Sequence, residues 1–222
     1  MPELVLWDID HTLMATRGLG GELWAEAFEQ VTGVVMREQA DVTGSTERVI
    51  LRESACLHGL DCDDALFTRF ADALGALHVR RAVELRERGH ALPGAAAALA
   101  ALADRGVRQA VVTGNVRAAA GVKLAVFGLD TYLNLGDGAY GEDGEGRPEL
   151  LRAALARASV PPGNAVFLGD TPADVTGGHV AGVRVVAVAT GHTPASDLRD
   201  AGADVVLDGL SDTDQVLAAI GV

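Results

Sequence analysis

Cysteine is nearly absent: the 222-residue chain has two, Cys56 and Cys62, with His58 between them. A structural zinc site usually takes four ligands and no second pair exists, so both are read as plain thiols in a reducing compartment. Basic residues are also few. Eighteen Lys and Arg stand against 31 Asp and Glu, a net charge of −13. The densest basic stretch, Arg80-Arg81 followed by Arg86 and Arg88, is interrupted by acids and reads as a solvated helix face. Such a chain does not track a phosphate backbone, so no nucleic-acid partner is expected. No apolar run is long enough to span a bilayer, and Met1-Pro2-Glu3 is not a basic leader. A soluble, cytoplasmic protein with no membrane partner is the expectation. Internal repeats and low-complexity tracts are missing too, apart from a helix-favouring alanine run at 95–103.

What is present is ordinary for a globular protein: 49% hydrophobic and 22% charged residues, which excludes disorder, collagen and coiled coil. A chain of this length buries about 70% of its unfolded surface and needs no staple. It suits one domain with a sizeable insertion. Short apolar runs at 4–7, 109–112, 165–168, 183–188 and 203–207 lack alternation and end in small or acidic residues, the pattern of parallel strands buried on both faces. A weaker strand is expected at 132–135. Helices are expected at 95–105, stopping at Gly106, and at 116–127, stopping at Gly128. Pro148 and Pro172 each occupy a first helical position, and Ser211 with Asp214 suggests a capping box. Strands alternating with helices give an α/β fold with a doubly wound parallel sheet. Residues 15–89 break the alternation. They carry helical periodicity only, so 1–14 and 90–222 are expected to form the core and 15–89 a helical cap.

The chemistry-bearing residues fall at strand ends, where open α/β sheets bind ligands. Asp8 and Asp10 flank Ile9. Two neighbouring carboxylates resist ionising together, and a divalent cation relieves that cost. Asp170 and Asp174 lie in Gly-Asp-Thr-Pro-Ala-Asp at another strand end. Thr113-Gly114-Asn115 ends a third strand and leads into a helix, where a hydroxyl and free N–H groups form an anion site. Any one Asp at such a place is ordinarily a helix cap or turn former. The order of the three motifs is the stronger signal.

With Trp7-Asp8-Ile9-Asp10-His11-Thr12-Leu13, Val111-Val112-Thr113-Gly114-Asn115 and Leu168-Gly169-Asp170-Thr171-Pro172-Ala173-Asp174 in that order, the chain resembles the haloacid dehalogenase superfamily. The helical insertion after the first motif resembles the cap of its phosphoglycolate phosphatase and β-phosphoglucomutase branch. The resemblance implies a phosphotransfer enzyme with a Rossmann-like core, an aspartyl-phosphate intermediate and Mg²⁺ as cofactor. Asp8 would be the nucleophile and Asp10 the general acid and base. Mg²⁺ would join Asp8, the Asp10 main-chain carbonyl and Asp170, and reach Asp174 through waters. Thr113, Gly114 and Asn115 would bind the phosphate of a small phosphorylated metabolite. Dehalogenase members lack an Asp at the position of Asp10, which favours phosphoryl over halide chemistry.

Two features depart from that pattern. His11 stands where Gly is usual, and is read as a turn residue able to adopt the left-handed conformation. The expected Lys-Pro of the third motif is missing. Lys123 and Arg147 are the two candidates for its cation, a surface ion pair being the bland reading of either. Lys123 lies about 10 Å beyond its helix's start at 1.5 Å per residue. In the cap, Thr43-Gly44-Ser45-Thr46-Glu47 reads as a loop capping a helix, and Trp24 as core. A phosphatase is the leading reading. A phosphomutase of the β-phosphoglucomutase type and a catalytically impaired metabolite-binding regulator are its rivals.

Overall fold

The chain is described from a computed structural model that covers residues 1–222. Seven strands form: β1 (Leu4–Trp7), β2 (Met14–Ala15), β3 (His90–Ala91), β4 (Arg108–Val111), β5 (Ala165–Gly169), β6 (Arg184–Val188) and β7 (Val205–Leu207). Five of them make one parallel sheet in the order β4-β1-β5-β6-β7. Leu4 aligns with Arg108 on one side and with Ala165 on the other. The period of two sends Val5 and Trp7 into one apolar layer and Leu4 and Leu6 into the opposite one, so β1 is apolar throughout. The chain passes from β1 to β4 at one flank and then to β5 at the other. The ends of these three strands therefore surround a topological switch point.

Six helices accompany the sheet: α5 (Ala95–Asp104), α6 (Arg117–Val126), α7 (Arg147–Ala158), α8 (Pro172–Ala181), α9 (Ala195–Asp200) and α10 (Thr213–Ile220). The earlier four, α1 (Leu19–Thr32), α2 (Glu47–Leu57), α3 (Asp64–Arg80) and α4 (Ala82–Arg88), fill the insertion. The antiparallel pair of β2 and β3 gathers its two ends, with Met14 opposite Ala91 and Ala15 opposite His90. The insertion is docked on the rest, since α3 lies on α6. Phe28, Phe70 and Leu74 belong to the same apolar cluster as Val5 and Trp7. No helix is long and apolar enough to cross a membrane.

Three expectations need correction. No strand forms at 132–135. A 3-10 turn covers Asp130–Tyr132, and the Asn134 N–H donates to the Gln109 carbonyl at 2.8 Å. The Asn134 side chain then accepts from the Gly136 N–H and bends the chain away, so the pairing resumes only as a bridge between Ala139 and Val112. The last helix is capped by Asp212, which accepts from the Gln215 N–H at 3.0 Å, one residue later than Ser211. Residues 15–89 are also not wholly helical, because Ala15 belongs to β2.

Candidate active site

Three acids meet where β1 and β5 end. Asp8 follows β1 directly, Asp170 follows β5, and Asp174 sits in the first turn of α8. All three are buried, and one carboxylate oxygen from each lies within 4.8 Å of the others. Asp174 is also a helix-capping residue. Its Oδ2 accepts from the Thr171 N–H at 3.0 Å and from the Thr171 hydroxyl at 2.7 Å, while Thr171 Oγ1 accepts from the Asp174 N–H. The capping and cluster readings of this Asp both hold, because the cap fixes one oxygen and aims the other inward. Asp170 is approached so closely by the backbone that a Cβ on Gly191 would lie 1.9 Å from its Oδ2.

Electrostatics set the character of this cluster. Burial pushes the Asp8 carboxyl well up, Arg147 opposes it, and Asp174 and Asp10 add to it. Burial, then the charges of Asp8 and Asp174, push Asp170 up in the same way. Three carboxylates facing one guanidinium are under-compensated, and an all-oxygen donor set of this kind suits a hard divalent cation. The Asp10 main-chain carbonyl accepts no backbone hydrogen bond and remains open as a further oxygen. The residues present therefore fit a Mg²⁺ ion.

Asp10 stands apart from the three. Its carboxylate accepts from Lys123 Nζ at 2.8 and 3.0 Å and from the Asn115 amide at 2.7 Å. Burial would raise its pKa, but the Lys123 charge and these hydrogen bonds outweigh it and the net shift is down. Both candidate cations are here, and neither is a surface ion pair. Lys123 also donates to Asn115 Oδ1 at 2.6 Å. Arg147 donates from Nε to Asp174 at 2.5 Å and from Nη2 to Asp8 at 3.1 Å. Burial would lower the guanidinium's proton affinity, yet Asp174 and Asp8 raise it overall. Its Nη1 is buried without a partner.

The Thr113–Asn115 turn forms the third side. Thr113 Oγ1 accepts from the Asn115 amide at 2.7 Å and from the Asn115 N–H at 3.3 Å, leaving its own proton free to donate. Gly114 is where the insertion touches the turn: the Glu47 N–H donates to its carbonyl at 2.8 Å, and a Cβ there would lie 2.2 Å from the Ser45 carbonyl. The Glu47 carboxylate accepts from the Val116 N–H, which opens α6. Burial raises this carboxyl to about 7 although Lys123 opposes the rise. Thr46 caps α2 through the Val49 N–H, as its place in the loop suggests. His11 adopts φ 61°, the left-handed turn expected of it, and the Thr190 hydroxyl donates to its carbonyl at 2.5 Å. His192 lies beside it, ring centroids 5.0 Å apart.

Asp8, Asp10, His11, Glu47, the 113–115 turn, Lys123, Arg147, Asp170 and His192 line one cavity of about 560 Å³, together with Trp24, Ile50, His78 and the 43–45 loop, while Asp174 lies fully buried behind Asp8 and Asp170. Sequence reasoning missed the bridging role of Glu47, because nothing in a capped helix start tells that its carboxylate reaches another helix. It missed His78 and His192 for the same reason, each being a lone His. Cys56 and Cys62 are free thiols, and the His58 ring is engaged by the Ser54 carbonyl and the Arg37 N–H.

The family model described as haloacid dehalogenase-like hydrolase matches residues 2–182. The chain is 34% identical to a plasmid phosphoglycolate phosphatase of Cupriavidus necator, covering 93% of this chain and 89% of that one. It is 29% identical to a phosphoglycolate phosphatase of Rhodospirillum rubrum, over 87% and 82% of the two chains. A hydrolase from Pseudomonas syringae shares the fold at a TM-score of 0.73, with 19% identity and both chains fully covered. The chain belongs to the haloacid dehalogenase-like hydrolase family.

Proposed function

We propose that the chain is a Mg²⁺-dependent phosphatase that hydrolyses a small phosphorylated metabolite through a phosphoryl group carried on Asp8. The observation that carries this reading is the convergence of Asp8, Asp170 and Asp174, the first two lining a cavity that also holds the Thr113–Asn115 turn and two buried cations, the third buried behind them. The relatives named above as phosphoglycolate phosphatases support a phosphoric monoester hydrolase. Mg²⁺ would be held by Asp8, Asp170 and the Asp10 carbonyl, with Asp174 behind them, and supplies positive charge where an anionic nucleophile meets an anionic ester.

The chain's own groups do the rest. An Asp8 oxygen forms a bond to phosphorus as the bond to the leaving oxygen breaks. The Thr113 hydroxyl, the Gly114 N–H, Lys123 and the unpaired Nη1 of Arg147 are donors for the phosphate oxygens. Lys123 and Asn115 hold Asp10 as the carboxylate. When the phosphate draws Lys123 away, Asp10 gains proton affinity, takes up a proton from solvent, and hands it to the leaving oxygen as the bond from phosphorus to that oxygen breaks. It then takes a proton from the water that attacks phosphorus, and Asp8 is freed. Residues 15–89 act as a cap that excludes bulk water, clamped to the turn through Glu47 and Gly114.

Phosphate release from a panel of phosphorylated metabolites, beginning with 2-phosphoglycolate, tests the reading with Mg²⁺ and with EDTA. Release that falls by about a hundredfold or more in EDTA is expected. Release indifferent to EDTA contradicts the metal. A hexose phosphate isomerised without release points to a mutase, and silence on every ester to a binding protein.

A further inference from the structure

The cap wall of the cavity holds two ring nitrogens that the chain leaves unpaired. Trp24 Nε1 and His78 Nε2 are buried without a hydrogen-bond partner, and both residues line the cavity. Their rings are set by packing. Trp24 lies 5.8 Å from Phe28 and 4.8 Å from Phe70, and Phe70, Leu74 and His78 share one face of α3 at a spacing of four. A chain seldom keeps two orphan polar atoms in so well-packed a wall, because each costs the full desolvation of the group. An occupant of the cavity that pairs them removes that cost.

The hydrogen-bond chemistry of the pair is fixed. His78 Nδ1 lies 2.9 Å from the Leu74 carbonyl, which only accepts, so Nδ1 carries the proton and Nε2 presents a lone pair. Burial, aided by the charge of Lys123, lowers the imidazole to about 4 and keeps it neutral. Trp24 Nε1 only donates. The two rings thus hold one donor and one acceptor that the chain leaves unpaired. Hydroxyl groups serve both, accepting from Trp24 and donating to His78. A carboxylate or second phosphate only accepts and would set lone pair against lone pair at His78. An ammonium only donates, and an alkyl group leaves both unpaired. Arg17, at the same cavity, is exposed and forms no ion pair within the chain. A solvent-screened contact there weighs less than two buried groups left unsatisfied.

We propose that Trp24 and His78 form a leaving-group subsite selecting phosphate esters of alcohols that carry further neutral hydroxyls, a polyol or sugar phosphate, over esters ending in a carboxylate or an alkyl chain. The subsite rests on the phosphatase reading above. It specifies which alcohol departs.

The test compares kcat/KM, with Mg²⁺, for sn-glycerol 3-phosphate, ribitol 5-phosphate and sorbitol 6-phosphate, each against the alkyl phosphate of equal chain length, with 2-phosphoglycolate beside them. The unaltered chain is expected to favour the polyol member of at least one pair by about 50-fold. That ratio should fall below about 5 in Trp24→Phe, which keeps the ring packing, and in His78→Phe. His78→Gln, which restores an acceptor, should recover part of it. Because the reading is a ratio between two substrates on one protein sample, a smaller folded fraction does not alter it. Polyol esters no faster than their alkyl partners, a ratio unmoved in both Phe variants, or 2-phosphoglycolate faster than every polyol ester would each overturn the subsite while leaving the phosphatase standing. A chain that releases phosphate from none of these esters, nor from p-nitrophenyl phosphate, removes the phosphatase and the subsite together.

Discussion

Asp8→Asn is expected to lower kcat on p-nitrophenyl phosphate by roughly 10⁴-fold or more, with the fold intact. The carboxamide has the same shape and keeps an oxygen to accept from Arg147, but it is no nucleophile toward phosphorus. Stability is the second readout, and its sign follows from the shifts. The folded-state pKa values of Asp8 and Asp170 are raised above the ordinary 3.8. Their contribution in the metal-free chain is therefore fully present below that value and is lost as the pH rises through neutrality. Removing one of the repelling carboxylates should flatten this dependence. Thermal melts in EDTA between acid and neutral pH should then show the variant at least as stable as the parent at neutral pH. Turnover within tenfold of the parent would show that Asp8 is not the nucleophile.

Arg147→Met is expected to cost both activity and stability. The guanidinium is buried and donates to Asp8 and Asp174, so its loss leaves three buried acids with no pairing cation from the chain. Breaking a buried pair of this kind costs roughly 3–5 kcal/mol, a fall in Tm on the order of 10 °C for a chain of this size. The fall should be largest in EDTA and smaller with Mg²⁺, which supplies the missing charge. With Mg²⁺, kcat/KM should drop by about 10²–10³-fold, because Nη1 is the one nitrogen of this side chain not already engaged. Calorimetry with and without Mg²⁺, beside steady-state kinetics, checks both. An unchanged kcat/KM would confine Arg147 to holding the acids in place.

Much of this was legible before any coordinates. The strand ends were marked because buried parallel strands have no alternation and stop abruptly at Asp8, Thr113 and Asp170, so both sheet and site could be read from the same punctuation. Pro148 and Pro172 announced their helices because a proline fits the first turn and little else. Local chemistry misled where tertiary contacts ruled. The segment at 132–135 has strand-like residues, yet the Asn134 turn diverts it. Lys123 and Arg147 were both candidates for a single motif cation, and nothing in the sequence chose between them. The two instead serve different acids, since α6 lies beside Asp10 while the start of α7 reaches Asp8 and Asp174. The bridge made by Glu47 and the place of His78 became notable only once the insertion was seen docked on α6. Their significance lies in contacts across long sequence separations, which no local pattern encodes.

The most direct measurement is mass spectrometry of the Asp10→Asn variant after rapid quenching with p-nitrophenyl phosphate and Mg²⁺. This leaving group departs without a proton, so phosphoryl transfer to the enzyme continues while water activation by Asp10 fails. A phosphoryl group on the peptide containing Asp8, removed by added hydroxylamine, is expected. Release of p-nitrophenol with no adduct, or an adduct on another residue, would contradict a phosphoryl group carried on Asp8.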